Sequence, residues 1–70
     1  MDLLRFEDKH HGPVYVDSRA LMIIARNGED TNVGVKLGDH GVDLTLAGDP
    51  DEIAQAIERA VPGARVHRIV

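Results

Sequence analysis

Apolar and polar residues alternate in short runs separated by glycine-centred breaks, which predicts a small β-rich fold. Leu3 to Glu7 reads as a strand with Leu4 and Phe6 on one face. Asp8 to Gly12 is polar and ends in glycine, so it turns the chain into a second strand, Pro13 to Asp17. Proline is tolerated at the first position of that strand, where no ladder donor is needed, and the two strands form a hairpin. Further on, Thr31 to Leu37 alternates with Val33, Val35 and Leu37 inward, and Val42 to Leu46 with Val42, Leu44 and Leu46 inward. Asn27-Gly28 and the stretch Gly38 to Gly41 supply tight turns, so the strands from Ala20 to Leu46 form an antiparallel meander.

The period changes after Gly48. Asp49 is placed to cap a helix, Pro50 sits where a missing N–H costs nothing, and Asp51 and Glu52 suit the first turn. Asp49 and Glu52 also have capping-box spacing. Ile53, Ala56, Ile57, Ala60 and Val61 form an apolar stripe at helical spacing, and Pro62-Gly63 ends the helix. Arg65 to Val70 reads as a late strand or an extended tail. Residues 1–70 thus predict one α+β domain: an antiparallel β-meander of about five strands with one C-terminal α-helix packed on one face.

One segment does not alternate. Ala20 to Ala25 is apolar throughout, too short for a typical buried helix, and reads as a strand covered on both faces. Leu21 and Ile23 project to one side, Met22 and Ile24 to the other, and one helix can cover only one side. A second copy of the chain is one cover for the remaining pair. A strongly curved sheet or a folded-over C-terminal strand is the other. Leu21, Met22, Ile23 and Ile24 are therefore the predicted oligomer interface.

Length strengthens that expectation. A 70-residue chain of 7.6 kDa builds a small core, and chains this short commonly rely on disulfides, a metal or self-association. The sequence contains no cysteine, which removes disulfides, thiolate zinc sites and thiol nucleophiles. The net charge of −4 argues against duplex nucleic acid, and Phe6 and Tyr15 alone make no stacking platform. Asp2, Arg5, Glu7 and Asp8 interrupt any apolar leader, and the run from Ala20 to Ala25 is too short to cross a bilayer. A cytoplasmic protein without membrane partners is the expectation.

Catalytic chemistry finds little purchase. His10 and His11 are adjacent and point apart on extended backbone, while His40 lies beside Asp39; no metal-binding spacing results, and solvated loop histidines are the simpler reading. Ser18, the only serine, lacks a nucleophile elbow and suits a local turn bond. The carboxylates lie in turns and at the helix start, with no facing pair for acid–base work. Gly38 to Gly41 resembles an anion nest, but Asp39 inside it repels anions. The arginines carry the remaining candidate site. Arg5, Arg19 and Arg26 flank the apolar strand or its neighbours and would line an interface pocket for a small anionic ligand, with Tyr15 stacking on it. Surface ion pairs with the excess acids are the alternative.

Leu4-Arg5-Phe6, Val14-Tyr15-Val16-Asp17, Leu21 to Ile24, Asp30-Thr31 and the glycine turn before Val42 together resemble the small flagellar proteins of the FlbD type. Similar patterns occur in short phage proteins of unknown role. The resemblance spans roughly residues 3 to 46; the Asp49-Pro50 helix start and the Arg65 to Val70 tail depart from it. It implies a bacterial or phage origin and a non-enzymatic role, and it transfers no site residue. The expected function is a non-catalytic binding module that works as a homo-oligomer and holds one partner protein or a small ligand, with no cofactor. The alternative is a phage-type inhibitor that sequesters an anionic nucleotide signal of host antiviral defence in the arginine-lined pocket.

Overall fold

A computed structural model describes residues 3–69; Asp2 and Val70, named in the leader and tail readings, lie outside them. The elements run β1 (Leu3–Asp8), β2 (Gly12–Asp17), β3 (Leu21–Asn27), β4 (Asp30–Leu37), β5 (His40–Ala47), α1 (Pro50–Ala60) and β6 (Arg65–Arg68). This is the α+β fold expected from the sequence, a meander with one helix packed on the sheet. Strands β1 and β2 form their own two-stranded sheet, with Leu4 opposite Val16 and Phe6 opposite Val14. The other four strands lie in the order β5-β4-β3-β6. Strand β6 pairs parallel to β3, with Met22 opposite Val66, so the tail completes the sheet of its own chain. Helix α1 is thus the crossover that carries the chain from one sheet edge to the other.

Local chemistry sets these boundaries. The β3–β4 and β4–β5 turns each begin with a glycine at positive φ, Gly28 at 64° and Gly38 at 61°. A side chain is strained there, and this geometry matches the twist of the flanking strands. Asn27 ends β3, and the turn is Gly28-Glu29 rather than Asn27-Gly28. Asp49 caps α1 by accepting from the Asp51 amide at 3.0 Å, with Pro50 following it. Val61 closes the helix by donating to the Ile57 carbonyl at 2.9 Å. The buried Thr31 hydroxyl donates to the Gly48 carbonyl at 2.8 Å and so anchors the link from β5 into the helix.

The core lies between one face of the four-stranded sheet and a cover made jointly by the hairpin and the helix. Met22, Ile24, Val33 and Leu44 are completely buried on the sheet side. Phe6 and Val16 enter from the hairpin, Ala54 and Ile57 from the helix. Several expectations are corrected here. Met22 and Ile24 are enclosed within one chain and cannot form an oligomer interface. Leu21 and Ile23 remain half-buried on the opposite face. Leu37 and Val42, expected to be inward, are 43% and 46% exposed, because they flank the Gly38 turn beyond the reach of the cover. On the helix, Ala54 is buried while Ala56 and Ala60 are exposed, so the buried stripe is narrower than the periodicity implies. Among the described residues, no helix is long and apolar enough to cross a membrane.

Candidate functional site

Because the hairpin crosses the sheet as a separate layer, it leaves a groove on either side. One groove, of about 220 Å³, lies between β2 and the turn end of the β4–β5 hairpin. Tyr15, Val14, Val35, Leu37, His40 and Val42 line it. Alternation along β2 sends Val16 into the core and leaves Tyr15 outward, 62% exposed. Across the groove, Leu37 and Val42 stand at the turn end of their hairpin. Of the five large hydrophobic residues exposed among the described residues, three (Tyr15, Leu37 and Val42) therefore border this one groove. Asp17 and His40 add polar groups at its edge.

The second groove, of about 340 Å³, runs between β1 and α1. Its walls include Leu4, Phe6 and Ile57, which already pack against the core, and the small side chains Ala56 and Ala60. It is an apolar seam left where alanines face a hairpin, and it presents none of the exposed large side chains that mark the first groove.

Asp8 holds the hairpin in the position that shapes both grooves. Its buried carboxylate accepts from the Thr45 amide at 2.6 Å, from the His11 amide at 2.8 Å and sits 2.5 Å from His11 Nδ1. The neighbouring Lys9 amide donates to the Thr45 carbonyl at 2.8 Å. The hairpin turn is thereby latched to the outer edge of β5. Hydrogen bonding from the Thr45 amide, reinforced by His11 and opposed by desolvation, holds the Asp8 carboxyl down at about 2. Sequence reasoning places Asp8 in a solvated loop and misses this role. The available signal is an aspartate three residues before His11 at a strand end, a spacing that suits a side-chain cap on the turn.

The predicted arginine site divides. Arg5 and Tyr15 face each other across the hairpin, but Arg5 pairs with Glu7 and lies along the helix-side seam. Arg19 follows β2 and grips Asp17 at 2.8 and 3.1 Å, while its amide donates to the same carboxylate at 2.9 Å. That side-chain pairing, with the amide bond, lowers the Asp17 pKa to about 2 and fixes Arg19 beside the first groove. Arg26 stands near the far end of β3 and binds the helix cap Asp49 at 2.7 Å, lowering the Asp49 pKa. Within one chain the strand register brings Arg5 and Tyr15 together, and each of the three guanidiniums engages an acid of its own chain. No group of three or more His, Asp or Glu side chains that could hold a metal occurs among the described residues. The residues missed as site-forming are Leu37 and Val42, whose adjacency to a tight turn was the usable clue.

The resemblance to small flagellar proteins carries no residue into this site. Comparison with protein-family models, curated proteins and solved structures gives no match.

Proposed function

We propose that the chain is a non-catalytic binding module that works as a homo-oligomer and captures a partner protein in the groove between β2 and the β4–β5 turn. The observation that carries this reading is that Tyr15, Leu37 and Val42, all exposed, border one groove. Apolar side chains scattered over a surface are ordinary, but a cluster around a groove marks an interaction site. Tyrosine is well suited to such a place, since its ring gives a large contact area at low entropy cost and its hydroxyl stays wet. An extended segment carrying one or two apolar side chains fits the groove's size and lining. His40 would orient its polar backbone. Capture of an anionic nucleotide has no comparable observation in its favour, because Arg5, Arg19 and Arg26 are each engaged by a carboxylate.

The test is selection of short peptides from a random display library on the folded protein, followed by NMR titration of the best binders. Shifts centred on Val14, Tyr15, Leu37 and Val42 are expected, with binding lost in Tyr15→Ser while the circular dichroism spectrum is unchanged. Selected peptides that perturb the helix-side seam instead, or that bind Tyr15→Ser equally well, would refute the assignment.

A further inference from the structure

Among the described residues, nothing covers the face of the four-stranded sheet opposite the core, and the residues of that face are arranged in a self-complementary way. The strand registers place Asp43, Gly34, Ile23 and His67 side by side, in that order, across β5, β4, β3 and β6. These positions alternate with the buried Leu44, Val33, Ile24 and Val66 side, so they belong to the open face. An acid thus occupies one edge of the row and an imidazole the other. Between them a half-buried isoleucine stands next to a residue with no side chain. Arg65 adds positive charge to the β6 edge, opposite Leu21.

We propose that this face binds a second copy of the chain about a two-fold axis parallel to the strands and midway between β3 and β4, so that Ile23 of each copy enters the gap over Gly34 of the other. This deepens the self-association part of the reading above by naming the surface involved. The axis is chosen by charge and shape together. It lays β6 of one copy over β5 of the other, bringing His67 and Arg65 toward Asp43, and it lays Leu21 along the aliphatic stem of Lys36. An in-plane axis at right angles to the strands would set β5 against β5, with Asp43 against Asp43 and isoleucine against isoleucine. Like charges would then face each other and neither gap would be filled. The aligned arrangement is also the common way in which two twisted sheets stack face to face.

Gly34 is the informative residue. A side chain there would meet only an Asp43 carboxylate oxygen, 3.3 Å away, and ordinary neighbours beyond it. Its backbone does not require glycine, because its φ is not positive. Glycine inside a strand weakens the strand, and one explanation for it is close approach by another surface. Here the exposed Asp43 side chain can swing toward His67 of the second copy and leave the gap to Ile23.

The contact is modest. Four strands spaced about 4.8 Å apart and roughly five residues long give a face of about 20 by 17 Å, a small interface by the standards of stable complexes. A weak dimer that assembles only as the concentration rises is therefore expected.

Sedimentation equilibrium over roughly 1 to 500 µM, where a weak dimer forms, tests the proposal. The wild-type mass should move from 7.6 kDa at the dilute end toward twice that value. Gly34→Val, which keeps a β-compatible residue in the strand, should remain folded by circular dichroism and lose at least tenfold in dimer affinity. Ile23→Glu should be monomeric throughout. Asp43→Asn should weaken association a few-fold under the proposed axis, whereas the perpendicular axis demands that it strengthen. A wild-type chain that stays at monomer mass to the top of the range would overturn the proposal, as would Gly34→Val dimerising normally or a gain in affinity for Asp43→Asn. Peptide binding in the β2 groove should be unchanged in Gly34→Val. Loss of groove binding with dimerisation intact would instead strike the partner-binding reading alone.

Discussion

The two sides of β3 differ in what surrounds them more than in what they are made of. Met22 and Ile24 are completely buried, while Leu21 and Ile23, of nearly the same size and polarity, are half-exposed. The first pair meets the hairpin, the helix and the buried side chains of β4. The second pair has Lys36, Gly34, Arg65 and His67 as its lateral neighbours, and among the described residues nothing lies above it. One apolar hexapeptide therefore supplies both a core and a surface, because pleating sends successive side chains to opposite faces. The lesson is that a uniformly apolar strand specifies two covers without saying which residues take which.

Truncation on the two sides should separate the faces most sharply. Met22→Ala and Ile24→Ala are expected to lose about 2–5 kcal/mol each in urea denaturation, and Ile57→Ala on the helix side a similar amount. Leu21→Ala and Ile23→Ala should cost about 1 kcal/mol or less in the dilute monomer, since only part of each side chain leaves water on folding. Equal losses on both faces would break the comparison.

Release of the hairpin from the β5 edge comes next. Asp8→Ala removes a buried acceptor from the Thr45 and His11 amides, so its melting temperature should fall well below that of Asp17→Ala, whose carboxylate serves an exposed arginine. The same group sets an acid limit. Its pKa is depressed in the folded chain, so its contribution is complete above the ordinary carboxylate range near 4 and is lost as pH falls toward about 2. A pH series of melts should show that decline in the wild type and a shallower one in Asp8→Ala.

Thr31→Val should have a smaller effect, about 1–3 kcal/mol, by leaving the Gly48 carbonyl without its donor. Its readout is a lower denaturation midpoint with an unchanged slope. The least effect, within about 0.5 kcal/mol, is expected for Ala56→Ser on the exposed side of the helix. A large loss there would mean that the seam between β1 and α1 is more tightly closed than described.

Much of this architecture was legible in the sequence because local rules and tertiary packing agree. The β4–β5 pair follows from alternation around a glycine turn, β3 from a short apolar run ending in Asn27-Gly28, and the helix start from Asp49-Pro50. Strand β6 was only half legible, since Arg65-Val66-His67-Arg68 buries one apolar side chain and draws its support from pairing with β3. The exposed pair Leu37 and Val42 was misread because alternation assigns a face but not the length of the cover. Asp8 was illegible as a core residue, because the partner that makes its burial possible, the Thr45 amide, lies 37 residues away. The arginines were visible, but their pairing was not. Arg19 meets an acid two residues away, whereas Arg26 meets one that only the crossover brings close.

The division of β3 into an enclosed and an open side is tested most directly by placing the same charge on each. Thermal unfolding of Ile24→Glu and Ile23→Glu, followed by far-ultraviolet circular dichroism at low micromolar concentration, should give no cooperative transition for the first and a native-like melt for the second. Two comparable melts, or the loss of structure in both, would contradict it.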